Sequence, residues 1–109
     1  MVGTSDLQEL QLVCPGAAVL HESNLEYVYL PRLKLPAGCS PPEADGLLCL
    51  QGRDGYLTRL FLSAEVRGKG NNWKAHQILS RTWYVCSWNN VSSDLRPAQI
   101  LAEHLRAFR

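Results

Sequence analysis

Apolar residues along this chain recur either at helical spacings of three and four or in the short runs typical of strands. These two patterns separate the predicted helices from the predicted strands. Near the N-terminus, in "SDLQELQL", Ser5 and Gln8 stand at capping-box spacing, while Leu7 and Leu10 can share one helix face. The segment therefore predicts a short helix that ends at Pro15-Gly16.

The C-terminal segment also has apolar residues at helical spacing. Asp94 is placed to cap a helix whose first turn contains Pro97, where the missing N–H group costs little. Apolar residues then recur at spacings of three and four, which predicts one buried stripe. This stripe consists of Ala98, Leu101, Leu105 and Phe108.

Between these helices, shorter apolar runs predict β-strands. "AAVLHE" and "LEYVYLPRL" flank Ser23-Asn24, which indicates two antiparallel strands joined by a tight turn. "LLCLQ" and "RLFLSAEV" predict two further strands, and Asp54-Gly55 between them suits a loop with positive φ. "PAGCSPPEADG" and "RGKGNN" are typical of surface connections.

The predicted architecture is therefore α+β and a single domain, residues 1–109. It has a short N-terminal helix, a four-stranded antiparallel meander, a long irregular segment, and a C-terminal helix packed on the sheet. In the irregular segment, "WKAHQIL" is ambiguous between helix and loop, whereas "TWYVCSW" has strand composition. Strict alternation there would place Tyr84, Cys86 and Trp88 on one face, opposite Trp83.

Composition narrows the class of function. A formal charge of +1 without a Lys/Arg cluster gives no electrostatic case for nucleic acid, and no apolar run is long enough to span a membrane. The start of the sequence does not have the pattern of a secretory signal, so we expect a cytoplasmic protein with reduced thiols. Four cysteines and three histidines are scattered without Cys-x-x-Cys spacing, so we expect no metal site and no cofactor.

Three stretches carry a resemblance to a known family. The first is "YVYLPRLKLPAGCSPPEADGLLCL", through Leu35, Pro36, Gly38, Asp45, Leu47, Leu48 and Leu50. The second is Gly55-Tyr56 before "LFLS", and the third is "NWKAHQILSRTW" followed by Trp88 and Asp94. With the order of the elements, these stretches resemble the ubiquitin-conjugating-enzyme superfamily, in particular its divergent bacterial branch, prokaryotic ubiquitin-conjugating family E. The resemblance runs from about residue 6 to 108.

The chain also departs from conventional conjugating enzymes. Leu57 and Thr58 follow Tyr56, so the Tyr-Pro-x-x-Pro-Pro segment is absent, and there is no His-Pro-Asn motif. No long stretch of helices follows the region where the active site is expected. Catalytic residues therefore do not transfer to this chain by position alone.

The resemblance implies an activity and partners. Such a protein accepts the C-terminus of a ubiquitin-like modifier from an activating enzyme, onto a Cys or Ser, and passes it to a target protein. The biological setting it implies is a bacterial modification pathway, for example one used in antiphage defence. Cys86 falls where conventional members place their nucleophile, with Asn89 or Asn90 available to position the carbonyl oxygen. Arg81 and His76 would lower the thiol pKa if they lie nearby.

Other interpretations of these residues remain open. Cys86 stands between two aromatic residues and is equally typical of a small buried hydrophobe. In that case the Ser80-Arg81 corner, matching Ser-Arg in the family, becomes the reactive or modifier-contacting site, with His76 as the nearest histidine.

The remaining cysteines and the tryptophans are weaker candidates. Cys49 is expected to be buried, whereas Cys14 and Cys39 occupy turn regions in which exposure is expected. Tryptophans are most often core residues, and a partner-binding role fits an exposed ring best. The three candidates for such a role are Trp73, Trp83 and Trp88.

Two rival functions complete the sequence prediction. One is a catalytically inactive scaffold of the same fold that binds the modifier or the activating enzyme. The other is an unrelated small α+β domain without enzymatic activity.

Overall fold

Two α-helices and one six-stranded antiparallel sheet make up the chain, for which the computed structural model describes residues 2–109. The helices are α1 (Thr4–Val13) and α2 (Pro97–Leu105), the latter continued by a 3-10 turn (Arg106–Phe108). The strands are β1 (Ala18–Glu22), β2 (Leu25–Lys34), β3 (Glu43–Cys49), β4 (Arg59–Leu62), β5 (Asn71–Ile78) and β6 (Arg81–Ser87). The α+β class predicted from the sequence is confirmed.

The predicted meander forms one part of a larger sheet. The strand order is β1-β2-β3-β4-β6-β5, so the first four strands follow one another and a hairpin then adds β6 beside β4. The expectation of an irregular segment after β4 is therefore wrong for the β5–β6 hairpin. The outer strand β5 is largely exposed along its length, so it lacks the apolar pattern that identifies a buried strand.

Turns with positive φ lie in the β1–β2 and β3–β4 connections. Ser23 and Asn24 have φ of 52° and 65° between β1 and β2, as expected for the type I′ turn that matches strand twist. The Asp54-Gly55 turn also has positive φ, and Arg53 and Tyr56 exchange two backbone hydrogen bonds of 2.9 Å around it. Both turns were predicted.

Both helices pack on one face of the sheet. There, Leu10 of α1 and Leu101 of α2 meet strand residues such as Leu48 and Leu62 in one continuous apolar core. Within the predicted C-terminal stripe, Leu101 and Phe108 are buried, whereas Ala98 and Leu105 are half-buried. Burial of Ile100 and His104 completes the packed face of α2.

The start of α2 differs from the prediction. The residue preceding the helix is Arg96, and Asp94 lies outside it, so Asp94 is not the cap. Instead, Glu9 of α1 accepts a hydrogen bond from the backbone N–H of Ala98 at 2.8 Å and pairs with the Arg96 guanidinium. A carboxylate at a helix N-terminus satisfies an amide with no partner inside the helix. One side chain therefore ties the two helices together.

A second core lies on the other face of the sheet, inside its curvature. It consists of Tyr27, Leu47, Cys49, Phe61, Ile78, Trp83 and Val85, each at most 3 % exposed. At one end the two sheet edges meet, because the backbone N–H of Leu79 donates to the Glu22 carboxylate at 2.6 Å. The sheet therefore curls far enough to bury its concave face. Within residues 2–109, no helix is long and apolar enough to cross a membrane.

Candidate functional site

Cys86, the first candidate nucleophile, is a core residue on the helix side of β6. It is 7 % exposed and packs within the apolar cluster between the sheet and the helices. Burial raises the pKa of the Cys86 thiol, although a backbone hydrogen bond from Asn71 acts in the opposite direction. The thiol is therefore protonated at neutral pH, which is the unreactive form.

The other three thiols are also buried. The expectation that Cys14 and Cys39 would be exposed is wrong, because each sulfur turns inward and donates to a backbone carbonyl. The bonds are Cys14 Sγ to Pro31 at 3.2 Å, Cys39 Sγ to Phe108 at 3.2 Å and Cys49 Sγ to Gln51 at 3.3 Å. Burial raises the pKa of the Cys14 and Cys49 thiols. No thiol in the described part of the chain is both exposed and free to react.

Ser80, the second candidate nucleophile, is exposed in the turn between β5 and β6. Its φ is +60°, and that of Leu79 is +55°. His76 does not serve it as a base: the imidazole packs edge-on against Phe61 with ring centroids 5.6 Å apart, on the concave face. Among residues 2–109, Ser80 Oγ has no hydrogen-bond partner that would activate it.

Arg81 lies on the opposite face of β6 from Cys86. Its guanidinium donates to Asp45 at 3.0 Å and lies over the Trp83 ring, 4.7 Å from the centroid. The backbone N–H of Arg32 and then the Arg81 guanidinium hold the pKa of Asp45 below its usual value. Arg81 and His76 are therefore not placed to activate Cys86, which the sequence hypothesis required.

All three tryptophans use their indole N–H groups inside the protein. Trp83 is 2 % exposed and donates to the carbonyl of Ile78 at 3.1 Å. Trp73 and Trp88 are half-buried and donate to the carbonyls of Lys69 and Glu103, each at 2.9 Å. Trp73 also stacks on Phe108 with ring centroids 5.8 Å apart. These contacts give the rings a structural role.

The two asparagines after β6 have different positions. The side chain of Asn90 accepts a hydrogen bond from the backbone N–H of Leu57 at 2.8 Å, which fixes two loops together. Asn89 lines a cavity of about 10 Å³ together with Cys86 and Trp88. That volume accommodates roughly one water molecule. Of the predicted catalytic residues, the structure brings together Cys86 and Asn89.

A buried Thr58–His104 pair borders the same cavity, and the sequence reasoning missed it. The hydroxyl of Thr58 donates to the Val91 carbonyl at 2.9 Å, so it accepts from His104 Nε2 at 2.9 Å. Burial, followed by the nearby Arg59, lowers the pKa of His104 to about 4. The imidazole is therefore neutral. The spacing of His104 from Leu101 and Phe108 is the signal that would have placed it on the packed helix face.

A groove between α1 and the segment preceding α2 carries Leu12, the most exposed of the large apolar side chains in residues 2–109. Leu12 is 86 % exposed and Leu95 is 39 % exposed, and both line this groove of about 590 Å³. Asp6 and Asp94 also line it, together with Glu9 and Arg96, which pair with each other, so acidic groups are in excess. A surface with apolar residues and acidic groups around them is suited to binding another protein.

Nowhere in residues 2–109 do three or more His, Cys, Asp or Glu side chains gather in a way that would hold a metal ion.

Comparison with known proteins identifies no relative. No protein-family model, no curated protein and no solved structure matches this chain.

Proposed function

We propose that this chain is a cytoplasmic, ubiquitin-conjugating-enzyme-like domain that binds a ubiquitin-like modifier or its activating enzyme without carrying the modifier covalently. The observation that carries this proposal is the burial of all four cysteine side chains. It favours the scaffold function over the conjugating function suggested by the family resemblance.

The order of elements supports the conjugating-enzyme-like part of the proposal. A helix precedes a four-stranded meander, and a second helix follows and packs on the same face of the sheet. This order agrees with the architecture that the family resemblance implies. The β5–β6 hairpin, which extends the sheet beyond the meander, is this chain's departure from it.

The chemistry of transfer supports the non-covalent part. A thioester forms only when a thiolate reaches the activated carboxyl group, and Cys86 is both covered and held in its protonated form. A serine needs a general base within hydrogen-bond reach, and His76 lies against Phe61 instead of beside Ser80. Neither candidate has the surroundings that acyl transfer requires.

The groove beside α1 supports binding. Leu12 offers an apolar contact with almost no packing inside the protein, and Asp6 and Asp94 supply negative charge in the same groove. The matching partner surface presents an apolar side chain with basic residues around it. Apolar contact gives affinity, and charge complementarity gives orientation.

The second candidate function is modifier transfer to a target protein through Cys86. It is favoured by one observation, which is that Cys86 and Asn89 line the same small cavity. This function requires Cys86 to become exposed, and the segment that contains Gly70 and Asn71 lies against it.

One experiment separates these functions. The protein is mixed with its cognate activating enzyme, modifier and ATP, and covalent adducts and equilibrium binding are measured in parallel. We expect a reversible complex and no adduct. We expect Leu12→Ser to weaken the complex about tenfold, whereas Leu57→Ser, at an exposed leucine outside the groove, leaves it unchanged.

Adduct formation would support the second candidate instead. A reductant-sensitive adduct that is lost in Cys86→Ala would assign transfer to the thiol. An adduct that resists reductant, yields to hydroxylamine and is lost in Ser80→Ala would assign it to the hydroxyl. Absence of both complex and adduct would reject the proposed function.

A further inference from the structure

A second pocket, of about 210 Å³, opens at the mouth of the curled sheet, away from the groove beside α1. Its walls come from the turn after β3 and from β4, β5 and β6. The polar side chains that matter here are those of Asp54, Arg59, Asn72, Lys74, His76 and Ser87.

The Arg59 side chain is held in one position in the wall of this pocket. It is only 9 % exposed, and the guanidinium lies over the Tyr56 ring, 4.2 Å from the centroid. One nitrogen, Nη1, donates to the Asp54 carboxylate at 3.2 Å. In the described part of the chain, no acceptor engages the other guanidinium nitrogens. A planar donor group is thus held in place with most of its hydrogen-bonding capacity unused.

The charge around the pocket is positive. Asp54 is shared by Arg59 and by Arg53, which donates to it at 3.1 Å. Lys74 adds a third cation, and its ammonium group forms no ion pair within residues 2–109. Arg59 and Lys74 line the pocket with Asp54 as its one carboxylate, and Arg53 pairs with that carboxylate from beside it, so the net charge here is positive.

His76 also lines this pocket, and its ring carries a polar atom without a hydrogen-bond partner. Its Nε2 is buried without a hydrogen-bond partner, and it is the one such side-chain atom found in residues 2–109. A buried polar atom without a partner is costly, so such atoms are rare in folded proteins. Burial lowers the pKa of His76, Asp54 raises it, and Arg53, Arg59 and Lys74 lower it further. A bound anion would act in the same direction as Asp54.

We propose that this pocket binds a small oxyanion, a carboxylate or a phosphate group, between the Arg59 guanidinium, the Lys74 ammonium and the His76 imidazole. The Asn72 amide and the Ser87 hydroxyl line the same space and complete the set of donors. Oxyanions fit because a guanidinium fork donates two parallel hydrogen bonds to two oxygens of one group. The site is separate from the proposed function and does not depend on it.

The test titrates the full chain with sodium phosphate and, separately, with sodium acetate, each against sodium chloride at matched ionic strength. Calorimetry measures binding, and the imidazole proton resonances report each histidine. We expect saturable binding of one or both oxyanions and a higher pKa for His76 in the bound state. The ring-proton resonances of His21, which pairs with Glu26 elsewhere in the fold, should not respond to either anion. Phosphate alone would indicate a phosphate site, and acetate alone a carboxylate site.

Two matched variants decide whether the pocket is responsible. Lys74→Gln removes one charge from the pocket and should weaken binding about fivefold. Lys34→Gln removes one charge from an exposed position at the end of β2 and should leave the affinity unchanged. The proposal is overturned if neither oxyanion exceeds the chloride control, if both variants weaken binding equally, or if the His76 resonance does not respond.

Discussion

Gly70 lies directly against Cys86: a β-carbon built on Gly70 would stand 3.1 Å from the β-carbon of Cys86. The same carbon would stand 3.0 Å from the Trp73 ring, and Gly70 has a φ of +73°. The chain can pass Cys86 this closely because Gly70 has no side chain. The segment before β5 therefore adds to the burial that the core between the sheet and the helices gives Cys86, and the proposed function depends on that burial.

Replacement of Gly70 by Ala should destabilise the protein. Positive φ costs an alanine about 1 kcal/mol, and the close contacts add roughly 1 to 3 kcal/mol, so we expect a loss of about 2 to 4 kcal/mol in the free energy of unfolding. Gly68→Ala is the matched control, because Gly68 has a φ of +70° and no atom within 4 Å of the added carbon. Urea unfolding of both variants measures the difference. Equal losses would show that Gly70 is not packed against Cys86.

His104 should make stability depend on pH. Its pKa is about 4 in the folded protein and about 6.5 when unfolded, so folding favours the neutral imidazole. This contribution, about 3 kcal/mol, is present above pH 6.5 and is lost as the pH falls towards 4. The free energy of unfolding should therefore fall by about 3 kcal/mol more between pH 7 and pH 4 in the wild type than in His104→Gln.

The exposed His21 gives the control for this measurement. His21→Gln should keep the wild-type fall in stability, because that imidazole is 68 % exposed. Carboxylates with lowered pKa values, such as Asp45, contribute a fall in the same direction to every variant. A His104→Gln protein with the same pH dependence as the wild type would contradict the burial of a neutral His104.

The Thr58 hydroxyl should stabilise the protein through its hydrogen bonds with His104 and Val91. Thr58→Val keeps the volume but removes the acceptor of the His104 N–H and the donor to Val91, so we expect a loss of about 1 to 3 kcal/mol. Thr82→Val is the control, since the Thr82 hydroxyl contacts Gln77 in an exposed position and should change stability by less than about 0.5 kcal/mol. Thermal or urea unfolding of the two variants distinguishes them. Similar stabilities would argue against a buried Thr58–His104 hydrogen bond.

Ser80 should behave as a turn residue. At a φ of +60°, glycine avoids the steric cost that alanine and serine bear. Ser80→Gly should therefore be more stable than Ser80→Ala by about 1 kcal/mol in urea unfolding. A Ser80→Ala protein at least as stable as Ser80→Gly would contradict the conformation of this turn.

Sequence patterns predicted the turns and helices, whose conformation depends mainly on residues close together in the chain. The Ser23-Asn24 and Asp54-Gly55 turns follow from residues that tolerate positive φ, and the helices follow from their apolar spacing. The strand composition of "TWYVCSW" indicated β6, but its pairing with β5 was not predicted, because the turn between them contains Leu79, a residue that rarely adopts positive φ. The outer strand β5 is also mostly exposed, so it lacks the apolar pattern that identifies a buried strand.

The surroundings of the candidate site depend on contacts between distant parts of the chain. Cys39 is buried because its sulfur reaches the carbonyl of Phe108, 69 residues away. Gly70 lies against Cys86, and Thr58 meets His104 across 46 residues. A pattern read along the sequence identifies these residue types but does not establish which of them are sealed from solvent.

Thiol modification of the native protein tests the central claim most directly. The folded chain is treated with a maleimide near neutral pH, and the modified cysteines are identified by mass spectrometry over time. We predict that Cys86 and the other three thiols react at least about a hundredfold more slowly than in urea-unfolded protein. Modification of Cys86 in the folded protein at the rate seen in unfolded protein would contradict the account and favour covalent transfer through that thiol.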